Sequence, residues 1–234
     1  MQLFFLPQLT IKCVETDLNE KESYHVCKVL RKKTGDKISI TNGRNILFNC
    51  SIVDISKKKC RVKIINYQKQ EPPSYYLHVG ISILKSRERF EWFVEKSSEI
   101  GISEITPLVC ERTERKSLNV ERVEKILVSA MKQSLSLNLP KLNSVTKFED
   151  LVVKKKEEKL FIAHCENTQK KTLMSLVKPG FKNLVLIGPE GDFSKNEIKL
   201  ANDHNFKNIT LGNSRLRSET AGLYVCNSFS IANM

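Results

Sequence analysis

Between Leu184 and Ala221 the chain carries two short apolar runs, Leu184-Val185-Leu186-Ile187 and Ile209-Thr210-Leu211, and each ends at a glycine, Gly188 and Gly212. The segment between them contains Ser194-Lys195-Asn196-Glu197. This is the S-x-x-E spacing in which each side chain caps the other residue's free backbone N–H at a helix start. The predicted order is strand, turn, helix, strand, turn, helix. Two strands joined through a helix run parallel, and an open parallel sheet binds ligands in the crevice beyond the carboxyl ends of its strands. Gly188 to Asp192 and Gly212 to Arg217 occupy those ends.

The remainder of the chain extends this α/β pattern on one side only. From Tyr75 onward, strand-like Leu77–Leu84, a helix from about Arg89 to Ile100 and strand-like Ile105–Cys110 alternate. Val120, Val123, Ile126, Leu127, Ala130, Met131, Ser134 and Leu135 then recur at helical spacing before Pro140, which predicts one buried helix face. Leu160-Phe161-Ile162-Ala163 is a further strand candidate ending at His164, and a last helix carries Leu223, Cys226, Phe229 and Ile231. The first 70 residues read as a β-rich module with an Asn42-Gly43 hairpin turn, preceded by a helical stretch that places Val26, Val29 and Leu30 on one face. The polar, doubly prolyl segment 68–74 separates the two, predicting domains 1–70 and 75–234.

Charge and cysteine usage narrow the functional classes. The net charge is +13, and about half of the excess lies in residues 1–75, with 14 Lys and Arg against 7 Asp and Glu. Such a field attracts polyanions, although a well-solvated surface is an alternative reading. The seven cysteines are scattered singly, with no C-x-x-C pair and no neighbouring histidines at metal-ligand spacing, so no metal site is expected, and their pattern suits a reducing compartment. No apolar run approaches the ~18 residues needed to cross a bilayer, and a cytoplasmic protein is expected. The chain has neither a G-x-G-x-x-G fingerprint nor a G-x-x-x-x-G-K-[ST] loop nor a G-x-S-x-G elbow, which removes the main support for dinucleotide binding, phosphate-loop hydrolysis and serine esterase chemistry.

The predicted ligand edge supplies the candidates. Glycines around Pro189-Glu190 let the backbone approach a bound molecule, so Ile187, Gly188, Pro189, Glu190, Gly191, Leu211, Gly212 and Leu216 are candidate cofactor contacts, joined by Ala163 and His164 at the third strand end. Arg217 and Glu219 stand beside them. Either they form a surface ion pair, or the arginine holds a developing negative charge while the carboxylate orients it or accepts a proton. Charged loops after two earlier strands add Arg87, Arg112 and Arg115 as phosphate contacts, and Arg31 and Lys32 do so in the front module.

These motifs, in this order, resemble the ribosomal small-subunit methyltransferase E family of the SPOUT superfamily, which methylates N3 of one uridine in 16S rRNA. The resemblance rests on His25–Arg31 with Gly35-Asp36, on Glu95–Gly101 with Ile105-Thr106-Pro107, and on Ala130–Ser134, which brings in Gln133 as an RNA contact. Most specific are Leu186–Gly191 and Leu211-Gly212 through Leu216–Ala221. It implies a PUA-like β-barrel in front of an α/β domain with a deep trefoil knot, S-adenosylmethionine as cofactor, 16S rRNA of the small subunit as partner, and a homodimer. Asp192 stands where the family often has a further glycine, and Ser214-Arg215 replaces an arginine followed by an aliphatic residue.

Overall fold

A computed structural model describes residues 2–56 and 59–233. By contact density the chain forms two compact units, one of residues 1–72 with 128–139, the other of residues 73–127 with 140–234. The front unit contains β1 (Leu3–Phe5), β2 (Glu15–Asp17), α1 (Glu20–Tyr24), β3 (Lys37–Thr41), β4 (Ile46–Ile55) and β5 (Cys60–Lys69). Its sheet has the order β1-β3-β4-β5-β2, parallel only between β1 and β3. The inward residues alternate along each strand, so that Ile38, Ile40, Phe48, Cys50, Ile52, Cys60 and Val62 meet Phe4, Leu6 and Val26 in one core. Each such side chain stabilises the unit by roughly 1.5–3 kcal/mol on burial.

Two details of this unit differ from the sequence reading. After α1 the chain passes into a π-helical turn, His25–Val29, which rotates Val29 out to 58% exposure while Val26 stays buried and Leu30 packs on the core. The hairpin exists, but its loop runs over four residues, 42–45, with positive φ at Gly43 and Asn45 rather than at Asn42. Asn42 is used differently: its side chain accepts from Arg44 N and donates to Leu9 O. Gly43 is required because a Cβ there would lie 3.0 Å from Leu139. Residues 128–139 are thereby stitched to the front unit, through Leu139 N to Gly43 O, Asn45 N to Leu137 O, and a buried Lys132–Glu22 ion pair at 2.6 Å.

The second unit is built on a wholly parallel sheet. Its elements are β6 (Tyr76–Ser82), α2 (Arg87–Ile100), β7 (Glu104–Val109), α3 (Val120–Gln133, whose last six residues count with the front unit), β8 (Lys141–Leu142), β9 (Thr146–Lys147), α4 (Phe148–Lys154), β10 (Lys159–Ala163), β11 (Lys171–Thr172), β12 (Lys182–Ile187), α5 (Lys195–Asp203), β13 (Lys207–Thr210) and α6 (Ser218–Ala232). The strand order is β11-β13-β10-β12-β6-β7-β8, with β9 also beside β7. One core cluster joins β7, β10 and β12 to Phe148 and Val152 of α4 and Ile198 and Ala201 of α5. Helices α2 and α6 pack together, so closely that a Cβ on Gly222 would lie 2.6 Å from the Phe93 ring.

Here too the structure corrects particular residues. Helix α3 ends at Gln133, well before Pro140, and Leu135 turns outward with φ 58°. Of its predicted stripe, Val123, Leu127, Ala130 and Met131 are buried, whereas Val120, Ser134 and Leu135 are exposed. In α6, Cys226 and Phe229 are buried and Ile231 is exposed. No helix among the described residues is long and apolar enough to cross a membrane, and no metal-ligating cluster occurs among them.

Candidate functional site

The two glycine-ended strands are parallel, but they are not neighbours. β10 lies between them, paired with β12 through Ala163↔Ile187 and with β13 through Ala163↔Ile209. Three carboxyl ends therefore border one cleft of about 490 Å³, lined by Ala163–Cys165, Ile187–Glu190 and Ile209–Ser218 with Lys170, Asp192 and Ala221. Backbone approach depends on two glycines in different ways. A Cβ on Gly188 would lie 3.2 Å from both Phe193 N and the Phe193 ring, so a larger residue collides with the loop's own anchor. Gly212 has open space, but φ is +128°, a conformation that L side chains rarely adopt.

The loop after β12 is held rigidly by its neighbours. Asp192 N donates to Pro189 O at 2.9 Å, closing a turn, and Asp192 itself has φ 64°. Aspartate tolerates this left-handed conformation, which accounts for its presence where a glycine would also fit. Its carboxylate accepts from Cys165 N at 2.7 Å and Phe193 N at 2.8 Å, tying the β12 loop to the β10 end. Glu190 accepts from Lys85 N, and the Arg112 guanidinium donates to Gly191 O at 2.8 Å. The predicted capping box closes α5 in both directions, and buried Glu197 also accepts from Glu111 N at 2.8 Å.

Within the cleft several polar groups lack protein partners. His164 is 7% exposed, and its Nε2 hydrogen-bonds Asn208 Oδ1 at 3.1 Å, which makes Nε2 the donor and leaves Nδ1 as an acceptor. That Nδ1 is buried and unpartnered. Burial pushes the imidazole pKa below its ordinary value although the Asn208 bond opposes this, so the ring is neutral at pH 7. Arg217 is the N-cap of α6 and makes no side-chain cap, leaving the first N–H groups and positive dipole end of a 15-residue helix beside the cleft. The Arg217 side chain is exposed and forms no ion pair among the described residues.

The structure brings most of the cofactor candidates together and leaves two of their neighbours outside the cleft lining. Ala163, His164, Ile187, Gly188, Pro189, Glu190, Leu211, Gly212, Leu216 and Arg217 all line the cleft. Gly191 does not, its carbonyl being engaged by Arg112. Glu219 is buried outside the lining and faces Arg89 of α2, Nε to Oε1 3.7 Å, rather than Arg217, because the first turn of α6 directs it toward the α2 packing surface. Its Oε2 is buried without a partner. Among the other arginines, Arg87 is 3.5 Å from Glu91, Arg112 is the tether already described, and Arg115 is half-buried with an unpartnered Nε. Arg31, Lys32 and Gln133 belong to the front unit, with Arg31 exposed at φ 53°. Lys170, whose Nζ donates to His164 O and Glu166 O, was not foreseen; nothing in its local sequence signals the reach back to the strand end.

A parallel α/β sheet with a glycine-walled cleft at three strand ends, in a chain that also carries a small basic β-unit, defines an RNA-modifying transferase. The profile described as "RNA methyltransferase domain" matches residues 70–230, and "RNA methyltransferase PUA domain" matches residues 18–65. The chain belongs to the ribosomal RNA small subunit methyltransferase E family. The member from Buchnera aphidicola of Acyrthosiphon pisum is 30% identical over 215 residues, covering 88% of this chain and 83% of that one. A crystal structure from Porphyromonas gingivalis, described as a probable rRNA-methyltransferase, superposes with TM-score 0.93 at 32% identity, covering 100% and 98% of the two chains. A Legionella pneumophila protein described as a methyltransferase, solved with S-adenosylmethionine bound, superposes with TM-score 0.86 at 28% identity over 98% and 97%.

Proposed function

We propose that this enzyme methylates N3 of one uridine in the 16S rRNA of the small ribosomal subunit, with S-adenosylmethionine as methyl donor. The observation that carries the reading is the cleft at the ends of β10, β12 and β13. It combines glycine-bearing loops at Gly188 and Gly212 with a buried, neutral His164 at the end of β10, a concave wall that suits an adenosine-bearing ligand. Ile187–Glu190 and Leu211–Leu216 would hold the cofactor through main-chain groups, with Ala163 and His164 on the third side. When bound, it supplies an electrophilic methyl group on sulfur.

The protein's own contribution is to charge and alignment. N3 of uracil carries a proton, so it becomes nucleophilic as that proton passes to solvent water, and negative charge then spreads over the flanking carbonyl oxygens until the N3–methyl bond forms and the methyl–sulfur bond breaks. In this reading the Arg217 guanidinium and the uncapped N–H groups of α6 offset that charge. Glu219, turned away from the cleft, is an orienting group that holds Arg89 against α6 and is not the base. The front unit serves as a PUA-like barrel that grips RNA with Arg31, Lys32 and Gln133, while Arg87, Arg112 and Arg115 contact phosphates on the second unit. We further propose that the C-terminal segment threads a trefoil knot and that the enzyme acts as a cytoplasmic homodimer.

Replacing Arg217 by Ala is expected to slow single-turnover methyl transfer to small-subunit RNA by about 100-fold while S-adenosylmethionine affinity changes little. An undiminished rate would remove Arg217 from the mechanism. Mass spectrometry of rRNA from cells lacking the protein should show one unmethylated uridine, and an unaltered modification profile would reject the substrate.

A further inference from the structure

A second cavity, of about 380 Å³, lies in the front unit at an irregularity of its sheet. Asn49 of β4 faces Asn66 of β5, but the next pair is Cys50 with Ile64, so Ile65 is an extra residue on β5. Such a bulge bends the strand and re-aims the side chain beside it. Ile65 is consequently 52% exposed at the cavity, an apolar residue placed where burial does not account for it. The floor includes Phe4.

The polar rim is equally specific. Asn49 Nδ2 donates to Asn66 Oδ1 at 2.8 Å, fixing the two amides relative to each other. That bond leaves Asn49 Oδ1 as an acceptor and the Asn66 NH2 as a donor, neither with a side-chain partner among the described residues. An acceptor on one linked amide and a donor on the other supply the two polarities that a nucleobase edge requires, and the base faces in turn need apolar contact. Lys32 and Lys37 complete the rim; Lys32 Nζ is held by Lys37 O at 3.3 Å, and neither ammonium forms an ion pair among the described residues. Two unneutralised cations beside a base-sized cavity suit a phosphate.

We infer that this cavity takes one unpaired RNA nucleotide, its base edge on the Asn49–Asn66 amide pair, its face against Ile65 and Phe4, and its phosphate by Lys32 and Lys37. The inference rests on the rRNA reading above and adds a site at which the front unit selects a base rather than only charge. It requires an unstacked nucleotide in the substrate, since a paired base hides this edge.

The test uses full-length 15N-labelled protein titrated with each of the four ribonucleoside 5′-monophosphates. At least one should shift the Asn66 side-chain amide resonances, and Asn49→Ala should weaken that nucleotide about tenfold, as expected for loss of a base-edge contact. Asn66→Asp, which replaces the donor by an acceptor, should change which of the four binds best. If none moves the Asn66 signals, or if folded Asn49→Ala and Asn66→Asp both bind like wild type, the site is refuted. The two readings fail separately. Methyl transfer by the wild type without nucleotide-induced shifts removes only this subsite, whereas shifts without methyl transfer leave the subsite standing and remove the proposed reaction.

Discussion

The two ends of the parallel sheet treat their polar groups in opposite ways. At the amino end, Glu104 accepts from Tyr76 Oη, from Lys141 at 2.9 Å and from Asn143 at 2.5 Å; Asn143 also donates to Thr106, which meets His78 at 2.6 Å, and His78 meets Glu157 at 2.6 Å. Among the described residues, Asn183 Oδ1, Ser98 Oγ at the end of α2 and Asn233 Oδ1 at the end of α6 are buried without a partner outside this network. At the carboxyl end, His164 Nδ1, the first turn of α6 and the Arg217 guanidinium have no side-chain partner among the described residues. A saturated network fixes the fold, while a rigid loop bordered by unsaturated groups is prepared for a ligand. The same strands thus carry structure at one end and chemistry at the other.

The largest test of that contrast is Gly188→Val. Its Cβ would lie 3.2 Å from Phe193, tighter than ordinary contact, so the loop must shift to seat it. S-adenosylmethionine affinity should fall by more than about 100-fold, equivalent to at least about 2.7 kcal/mol of lost binding, and displacement of the core residue Phe193 should lower the melting temperature as well. Calorimetric titration beside a melting curve separates the two quantities. Retained affinity would place the cofactor elsewhere.

The contrast also explains what was legible in the sequence. The carboxyl end uses local devices: a strand that stops at a glycine, a capping box spanning Ser194 to Glu197, a proline inside a turn. Each is visible in a window of a few residues, so the cleft residues were found. What joined them was not local. The insertion of β10 between β12 and β13 is a matter of strand order, which periodicity does not encode, and it turned two expected turns into three cleft walls. The ion-pair partner of Glu219 was illegible for a similar reason, since Arg89 lies on another helix, 130 residues earlier. The amino-end network was not read at all, because its members are contributed by β6, β7, the β8 region and the loop before β10.

That network supplies the next test. Burial pushes the Glu104 carboxyl up, but hydrogen bonds from Tyr76, Lys141 and Asn143 more than offset it and hold its pKa at about 2. A folded value below the ~4.3 of free glutamate stabilises the protein fully above that pH. The contribution is lost as pH falls from there toward 2. Glu104→Gln should therefore cost about 2–3 kcal/mol at pH 7, within the range for removing one partner of a buried charged network. The deficit should shrink at pH 3, as read by urea denaturation, while cofactor affinity stays constant. A deficit independent of pH would mean that packing, not charge, makes Glu104 valuable.

The smallest effect belongs to Asp192, where the two ends' strategies meet: a carboxylate saturated by Cys165 N and Phe193 N within the ligand loop itself. Its φ of 64° adds a conformational requirement to the hydrogen bonds. Ala forfeits both, losing two acceptors and incurring about 1–2 kcal/mol in the left-handed region. Gly keeps only the backbone freedom, and Asn keeps an acceptor and tolerates the conformation. Cofactor affinity should follow the order Asp, Asn, Gly, Ala, with Ala about tenfold weaker than wild type. If Gly matches wild type, φ alone governs the loop and the bridge to β10 is incidental. If Gly and Ala are equally weak, the carboxylate bridge is what holds the cleft open, and the ligand end of this sheet is built by the same saturation that closes its other end.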